Sequence, residues 1–342
     1  MTLALLAVLV GFVALVWSAD RFVTGAAVTA KHLGMSSMMI GLTIVAFGTS
    51  APEIFVSLNA ALHDAADMAV GNALGSNLAN MGLVLAVTAL ITAIPISKSV
   101  VRRELPILAA ITLLAGYTLL DYKVSFVDGC LLLGSIFVAG YLAFRSHKKN
   151  PELDVDDDLA ASLEAMTPEE ELDDLPKAKA WMLLIGGLVV LVASSNLLVW
   201  GAKSVAIQLG VSQLIIGLTL VAIGTSLPEL AASVACALKG QVDIALGNVV
   251  GSNIFNLAAV MSIPGLVGGV QLGSEIFNRD YAFMAGITLL LIVVVLTDAI
   301  WLRFKHAGTD PRERPRPHIG RFAAVLFLLG YVLYTLQLLK VL

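Results

Sequence analysis

Two copies of one polar motif lie in otherwise apolar stretches of the chain. The first reads GLTIVAFGTSAPE (Gly41–Glu53) and the second reads GLTLVAIGTSLPE (Gly217–Glu229). Each copy supplies a threonine, a serine and a final glutamate, all of which carry oxygen donors. Hard oxygen ligands suit Na⁺ and Ca²⁺, whereas zinc, copper and iron favour histidine and thiolate, which both motifs lack. The residue types therefore predict a cation site centred on Glu53 and Glu229.

A proline stands directly before each of these glutamates. Pro52 and Pro228 have no backbone N–H, so the carbonyl four residues earlier loses its helical partner. These carbonyls belong to Gly48 and Gly224, and glycine lets the helix open at that point. We therefore expect structural helix breaks between each glycine and proline, with free carbonyls beside the hydroxyls of the motif. Those hydroxyls belong to Thr49, Ser50, Thr225 and Ser226.

A second element, GNALGSNLAN (Gly71–Asn80), is copied as GNVVGSNIFN (Gly247–Asn256). In each copy an asparagine, a serine and another asparagine are spaced four residues apart, so they stack on one helix face. These residues are Asn72, Ser76, Asn80, Asn248, Ser252 and Asn256. The glycines at 71, 75, 247 and 251 stack as well, and close helix packing alone would account for them. It would not account for the amides and hydroxyls, which need an aqueous path, a polar partner or an ion.

The composition indicates an integral membrane protein. The 342 residues are 58% hydrophobic and 13% charged, with a mean hydropathy of +0.90. Soluble domains are about 45–50% apolar and about 25% charged. A charged side chain at the centre of a membrane helix costs about 2.5–3.5 kcal/mol, and the spans that hold the motifs offer no basic partner near that depth. We therefore expect a bound cation or a proton to be the partner of Glu53 and of Glu229.

Apolar stretches long enough to cross a bilayer occur at ten places, which predicts an all-α protein with ten transmembrane helices. They lie near residues 3–30, 36–61, 70–94, 104–120, 126–144, 179–207, 212–237, 246–270, 281–300 and 321–340. An acidic stretch separates the fifth span from the sixth. It divides the chain into a first repeat (1–144), an acidic linker (145–178) and a second repeat (179–342).

The two repeats are copies of each other. A shift of 176 residues aligns Gly41–Asn80 with Gly217–Asn256 without a gap, and 21 of the 40 positions are identical. Because five spans is an odd number, the second copy must enter the membrane in the opposite direction, so that paired broken helices meet at the midplane. Lys and Arg number 17 in the loops on the side of the linker and 4 on the other side. This asymmetry predicts a cytoplasmic linker and two external termini.

The paired signatures GTSAPE with GSNLAN and GTSLPE with GSNIFN resemble the calcium/cation antiporter superfamily, in its sodium/calcium exchanger branch of the prokaryotic type. The resemblance covers both repeats and implies a transporter, not an enzyme, that exchanges Na⁺ for Ca²⁺ by alternating access. It implies that Glu53 and Glu229 are central ligands shared by both ions. The other ligands that it implies are Thr49, Ser50, Thr225 and Ser226, then Ser76, Asn80, Ser252 and Asn256 at inner and middle positions, and the carbonyls of Ala46 and Ala222 at outer sodium sites.

Asn80 and Asn256 depart from the family pattern, because several members carry Asp at one of these positions. Two site carboxylates remain, which weakens any potassium-cotransport interpretation and leaves the number of sodium ions open. Proton-coupled exchange of Ca²⁺ or another divalent cation ranks second, and a cation channel ranks third because conduction needs weak, multi-site binding. The expected location is the plasma (inner) membrane of a prokaryote, with the lipid bilayer as surroundings. No cofactor and no nucleic acid are expected, and the oligomeric state is open.

Overall fold

A computed structural model describes residues 1–63, 65–149, 175–210, 222–307 and 315–339 of the chain. The first half is helical, and three π-helical segments interrupt it. Its α-helices are α1 (Thr2–Leu33), α2 (Ser37–Ile40), α3 (Ala46–Thr49), α4 (Ala51–Leu62), α5 (Ala66–Ala79), α6 (Ala86–Ile91), α7 (Leu105–Leu119) and α8 (Phe126–Lys149). Its π-helical segments are π1 (Gly41–Val45), π2 (Asn80–Leu85) and π3 (Val100–Glu104).

The described part of the second half repeats this pattern. Its α-helices are α9 (Lys177–Gln208), α10 (Ala222–Thr225), α11 (Leu227–Leu238), α12 (Val242–Phe255), α13 (Ser262–Val267), α14 (Ala282–Lys305) and α15 (Arg321–Leu338). Its π-helical segments are π4 (Asn256–Val260) and π5 (Ile276–Tyr281). Most of the predicted linker (150–174) lies outside the described residues, and so do residues 211–221, which include the start of the second motif.

The duplication seen in the sequence extends to the ends of the helices. Helices α3, α4, α5 and α6 correspond to α10, α11, α12 and α13, and each pair begins and ends 176 residues apart. The π-helical segments π2 and π4 also begin at this offset, as do π3 and π5. Because π-helical turns are rare and concentrate at functional positions, their repetition argues that both halves keep the same local geometry.

Six helical segments among the described residues are long and apolar enough to cross a membrane. They are Thr2–Leu33, Ala66–Ile91, Lys177–Gln208, Val242–Val267, Ile276–Lys305 and Arg321–Leu338. A seventh results if Ser37–Thr49 and Ala51–Leu62, bent by 42° at their junction, count as one span. The chain is therefore a mostly helical, multi-pass membrane protein. Length and composition alone do not reach the predicted ten, since Phe126–Leu142 and Leu227–Leu238 are shorter apolar helices.

Four two-residue strands join the halves. Strand β1 (Ile94–Pro95) pairs antiparallel with β4 (His318–Ile319), and β2 (Lys123–Val124) pairs antiparallel with β3 (Val270–Gln271). Each pair thus contains one strand from the first half and one from the second. Strands β1 and β3 are themselves related by the offset of 176. The two halves are therefore tied by main-chain hydrogen bonds as well as by helix packing.

Helices α5 and α12 run through the centre of the molecule, whereas α1 and α9 lie at its edge. In the most apolar window of the span that each begins, 72% of the residues are buried for α5 and 89% for α12, against 33% for α1 and 28% for α9. Helices α1 and α9 pack along each other through close contacts of Gly25 with Leu184 and of Gly187 with Phe22. The second polar motif thus occupies the two most enclosed spans.

The predicted close approach at the motif glycines is confirmed for α12. A Cβ atom at Gly247 would lie 2.6 Å from the carbonyl oxygen of Met38 and 3.0 Å from the Cα of Gly41. A Cβ at Gly251 would lie 2.6 Å from the carbonyl oxygen of Leu42. Helix α12 therefore touches the backbone of α2 and π1 directly. The offset places residues 214–222 opposite Gly71 and Gly75, and most of that segment lies outside the described residues.

Substitution Gly247→Ala is expected to lower the stability of the protein by about 1–3 kcal/mol, because the added methyl group overpacks against backbone that cannot move alone. The measurement is the thermal midpoint of the purified protein in detergent. Gly286→Ala is the matched control, since Gly286 is exposed in α14 and a methyl group added there would have no neighbouring atom within 4 Å. Equal midpoints for the two variants would contradict the close helix contact.

Candidate cation-binding site

Each glutamate of the first motif lies in the first turn of a helix that begins at the predicted break. The chain leaves helical geometry at Ser50 (φ −83°, ψ 2°) and at Ser226 (φ −91°, ψ 6°). Helices α4 and α11 start at the next residue, each with its proline in the first two positions. The positive end of each helix dipole therefore faces its own glutamate, which favours an anionic side chain there. Glu53 and Glu229 have no solvent exposure.

The carbonyls that the prolines release are not left free, which corrects the expectation from the sequence. The hydroxyl of Ser195 in α9 donates to the carbonyl oxygen of Gly224 at 3.1 Å. The carbonyl of Gly48 accepts from a backbone N–H at the end of α3. The physical reason is that a buried carbonyl without a donor is costly, so neighbouring groups take the place of the missing proline N–H. The helix breaks are present, but they do not expose these two carbonyls.

The two motifs contact each other across the halves. The Ser50 hydroxyl oxygen of the first half lies 3.5 Å from Oε1 of Glu229 in the second. The Ser76 hydroxyl oxygen lies 3.5 Å from Oε1 of Glu53. The two carboxylates are close enough for their charges to interact. Among the described residues no ion pair joins either carboxylate to Lys, Arg or His.

Side-chain atoms without hydrogen-bond partners concentrate in this region. The described part of the chain contains thirteen such buried nitrogen and oxygen atoms, and eight of them belong to the predicted ligand set. The eight are Oε2 of Glu53, Oε2 of Glu229, both amide atoms of Asn80, both amide atoms of Asn256, and the hydroxyl oxygens of Ser226 and Ser252. An unpaired buried polar group costs about 1–3 kcal/mol. So many in one place argue for a ligand or water that these atoms would hold.

The outer members of the predicted set stand differently. Ala46 is buried, and its carbonyl oxygen already accepts from the N–H of Ser50 at 3.0 Å and faces the Thr49 hydroxyl at 3.4 Å. One helical hydrogen bond leaves a carbonyl with a second lone pair. Thr225 is partly exposed. Ala222 begins α10, and its side chain is outside the described structure.

The asparagines at the first position of the second motif link the two motifs. Thr49 donates its hydroxyl proton to Oδ1 of Asn248 at 3.0 Å, and Nδ2 of Asn248 donates to the Ser233 hydroxyl at 3.2 Å. In the other half, Nδ2 of Asn72 donates to the Ser57 hydroxyl at 3.1 Å and to the backbone carbonyl of Glu53 at 3.3 Å. Each asparagine therefore braces the helix that carries a glutamate.

Sequence reasoning missed a second pair of buried amides, Asn77 and Asn253. Nδ2 of Asn77 donates to the carbonyl oxygen of Asn253 at 3.1 Å, which joins α5 to α12. Oδ1 of Asn77 and both side-chain amide atoms of Asn253 lack partners. Both asparagines were visible in the repeated GSN triplet. The spacing of four residues selected a neighbouring face of the helix and passed over them.

Two buried ion pairs away from the glutamates also follow the offset of 176. Arg103 contacts Glu104 through Nε at 2.8 Å and Nη2 at 2.6 Å, and both residues are less than 10% exposed. Their counterparts, Arg279 and Asp280, pair at 2.7 Å, and the Tyr334 hydroxyl also donates to Asp280. The sequence signal was the same shift extended beyond Asn256. These pairs close π3 and lie within π5.

The chemistry of the site is that of oxygen ligands. Among the described residues no three or more side chains of His, Cys, Asp or Glu gather as a metal cluster. The site instead combines two carboxylates with hydroxyl and amide oxygens contributed by both halves. These features define the class as a multi-pass helical membrane protein with an ion site of the hard-oxygen type, built by an internal duplication.

Comparison with known proteins places the chain within a particular family of that class. The family described as "Sodium/calcium exchanger protein" matches residues 3–145 and 179–340, and the chain belongs to this family. The Putative antiporter CaxA of Alkalimonas amylolytica is 45% identical over 296 residues, covering 86% of this chain and 91% of the relative. Inner membrane protein YrbG of Escherichia coli (strain K12) is 35% identical over 338 residues, covering 99% and 97%.

The same family is found among solved structures. The sodium-calcium exchanger NCX_Mj, soaked with zero Na⁺ and Ca²⁺, superposes with a TM-score of 0.76 at 31% identity. The match covers 98% of this chain and 99% of that chain. The identification suggested by the paired signatures is therefore confirmed for nearly the whole length of the chain.

Proposed function

We propose that this protein is a secondary active antiporter that exchanges Na⁺ for Ca²⁺ by alternating access at one buried site. The observation that carries the proposal is the pair Glu53 and Glu229, fully buried, close together and without a basic partner among the described residues. Each keeps one carboxylate oxygen without a hydrogen bond. The family to which the chain belongs supports cation exchange as the reaction.

Charge balance gives a physical reason for exchange. Two carboxylates neutralise one Ca²⁺, or hold more than one Na⁺, so the two cations compete for the same oxygens. An empty site would carry two unpaired charges in a region where each costs several kcal/mol. Reorientation across the membrane is therefore slow unless an ion is bound. In this scheme Ser76, Ser252, Asn80 and Asn256 supply the inner and middle positions, and the carbonyls of Ala46 and Ala222 supply outer sodium sites.

We infer ten spans in two inverted repeats, and the strand pairs support this topology. In a ten-span chain successive loops alternate between the two sides of the membrane. Strands β1 and β4 lie in the third and ninth loops, which share one side, and β2 and β3 lie in the fourth and eighth loops, which share the other. Strands β1 and β3 are repeat counterparts, so the scheme puts equivalent segments on opposite sides. An odd number of spans would break this agreement.

The proposed location is the inner membrane of a prokaryote, with the acidic linker in the cytoplasm and both termini outside. The excess of Lys and Arg on the side of the linker supports this orientation. A relative of nearly equal length is named an inner membrane protein. The site itself would then lie near the midplane, where α4 and α11 begin.

Proton coupling is the second candidate, and Asn80 and Asn256 bear on it. Both side chains are amides, so two carboxylates carry all of the negative charge in the proposed ligand set. A buried carboxyl group without a basic partner can also be neutralised by a proton. A proton-coupled exchanger of Ca²⁺ or another divalent cation would use the same two glutamates.

Reconstituted vesicles distinguish these functions. Vesicles loaded with Na⁺ and diluted into Na⁺-free medium are expected to take up ⁴⁵Ca²⁺, and uptake should collapse when choline replaces the internal Na⁺. Uptake that an imposed pH gradient drives equally well without Na⁺ would move the assignment to proton coupling. Flux that follows the Ca²⁺ gradient alone would assign a channel. Empty vesicles provide the background.

A further inference from the structure

Asn248 is a buried residue outside the proposed ligand set that contacts a ligand of the opposite half. It has no solvent exposure, and neither do its neighbours Thr49 and Ser233. It accepts the Thr49 proton on Oδ1 at 3.0 Å and donates from Nδ2 to the Ser233 hydroxyl at 3.2 Å. Ser233 lies one helical turn after Glu229 in α11. Asn248 therefore spans the distance between a motif hydroxyl of the first half and the helix that carries the second glutamate.

The direction of this bridge is fixed by its counterpart in the repeat. Asn72 lies within hydrogen-bond distance of the Glu53 backbone carbonyl at 3.3 Å. A carbonyl can only accept, so the group that faces it must be Nδ2, and the amide oxygen must point the other way. The same nitrogen reaches the Ser57 hydroxyl, as Nδ2 of Asn248 reaches Ser233. The offset of 176 thus gives Asn248 the same orientation, with its oxygen toward Thr49.

This orientation determines what the Thr49 oxygen can offer. A hydroxyl has one proton and two lone pairs, so a proton given to Asn248 leaves the lone pairs for a cation. Two other acceptors are within reach, namely the Ala46 carbonyl at 3.4 Å and the carboxylate of Glu229. A proton donated to Glu229 would occupy a carboxylate oxygen that a cation needs. Asn248 prevents this competition.

We propose that Asn248 is a positioning residue for ion binding: it takes the Thr49 proton and so holds that hydroxyl as an oxygen donor toward the cation. The inference rests on the proposed function for the identity of the ion, and on the hydrogen bonds for the rest. Asn248 need not touch the ion. Its effect passes through Thr49, and a double-mutant cycle measures such an effect directly.

The cycle consists of Asn248→Ala, Thr49→Val and the double variant, each in vesicles. Each single substitution is expected to raise KM for Ca²⁺ up to about tenfold, which is the value of one buried hydrogen bond. The double variant should raise KM no further than the weaker-binding single variant. Multiplied effects, near hundredfold, would overturn the proposal. If Asn248→Ala does not fold, Ser233→Ala removes the anchor of the amide, and its cycle with Thr49→Val must show the same non-additivity.

Asn77→Ala is the matched control, because Asn77 is an equally buried amide of the same motif that bonds only to backbone. Its effect on KM should multiply with that of Thr49→Val. The shift in thermal midpoint on adding Ca²⁺ or Na⁺ in detergent repeats the cycle without transport. Wild-type vesicles that fail to exchange would overturn the proposed function while this binding cycle still tests the role of Asn248. Exchange with an additive cycle would overturn the role of Asn248 alone.

Discussion

Substitution Glu229→Gln is expected to reduce Na⁺-driven ⁴⁵Ca²⁺ uptake at least about 100-fold, with the protein still folded. Removal of one partner from a buried charge interaction costs about 3–5 kcal/mol, and each 1.4 kcal/mol is a factor of ten. Glutamine keeps the shape of the side chain and one carbonyl oxygen, so the loss reports the charge. Glu53→Gln should behave in the same way, because the two residues occupy equivalent positions in the first turns of α4 and α11.

The same substitution should have the opposite effect on the ion-free protein. Glu53 and Glu229 repel each other when both are charged, so neutralising one removes an unfavourable interaction. We therefore expect a higher thermal midpoint without ions, and a smaller increase on adding Ca²⁺, than in the wild type. Glu275→Gln is the control, since Glu275 is exposed. A Glu229→Gln variant that transports at the wild-type rate would remove the carboxylate pair from the mechanism.

Substitution Arg103→Ala is expected to lower the free energy of unfolding by about 3–5 kcal/mol, because it leaves the Glu104 carboxylate buried without its charged partner. Arg103 contacts one carboxylate oxygen through two nitrogen atoms, at 2.8 and 2.6 Å, and the side chains are 8% and 3% exposed. The measurement is the thermal midpoint in detergent, supported by the fraction of protein that remains monodisperse after heating.

An exposed ion pair of the same chain gives the comparison. Lys123 and Asp121 pair at 3.3 Å with side chains 54% and 56% exposed. Solvent screens such pairs, so Lys123→Ala should cost no more than about 1 kcal/mol. Adding Glu104→Gln to Arg103→Ala should recover part of the loss, since the buried charge is then removed. If Arg103→Ala and Lys123→Ala were equally stable, the buried pair would have no structural role.

Much of the architecture could be predicted because the duplication is written in polar residues. Glycine, asparagine and proline cannot be exchanged freely inside a membrane helix, so an offset of 176 survived in Gly41–Asn80 and predicted two equivalent halves. The helix breaks followed from Pro52 and Pro228, whose missing N–H is a local property. Burial of Glu53 and Glu229 followed from the cost of exposing charge to lipid.

Other features depended on contacts between distant segments and could not be predicted in this way. The Gly224 carbonyl was expected to be free, but Ser195 from α9 donates to it, and no local rule brings α9 to that point. The bridge from Thr49 to Asn248 joins residues of different halves. Asn77 was overlooked because helical periodicity places it beside the chosen face, and the reason for its burial is the crossing of α5 with α12.

The strand pairs have a consequence for the synthesis of the chain. Ile94 emerges from the ribosome early, but its partner Ile319 emerges only near the end. The first half must therefore wait in the bilayer with β1 unpaired, and Thr49 must wait for Asn248. Insertion of the spans and completion of the site are separate events in the life of the molecule. A nascent chain carries Glu53 through an unfinished bundle, and the last loop to be translated closes it.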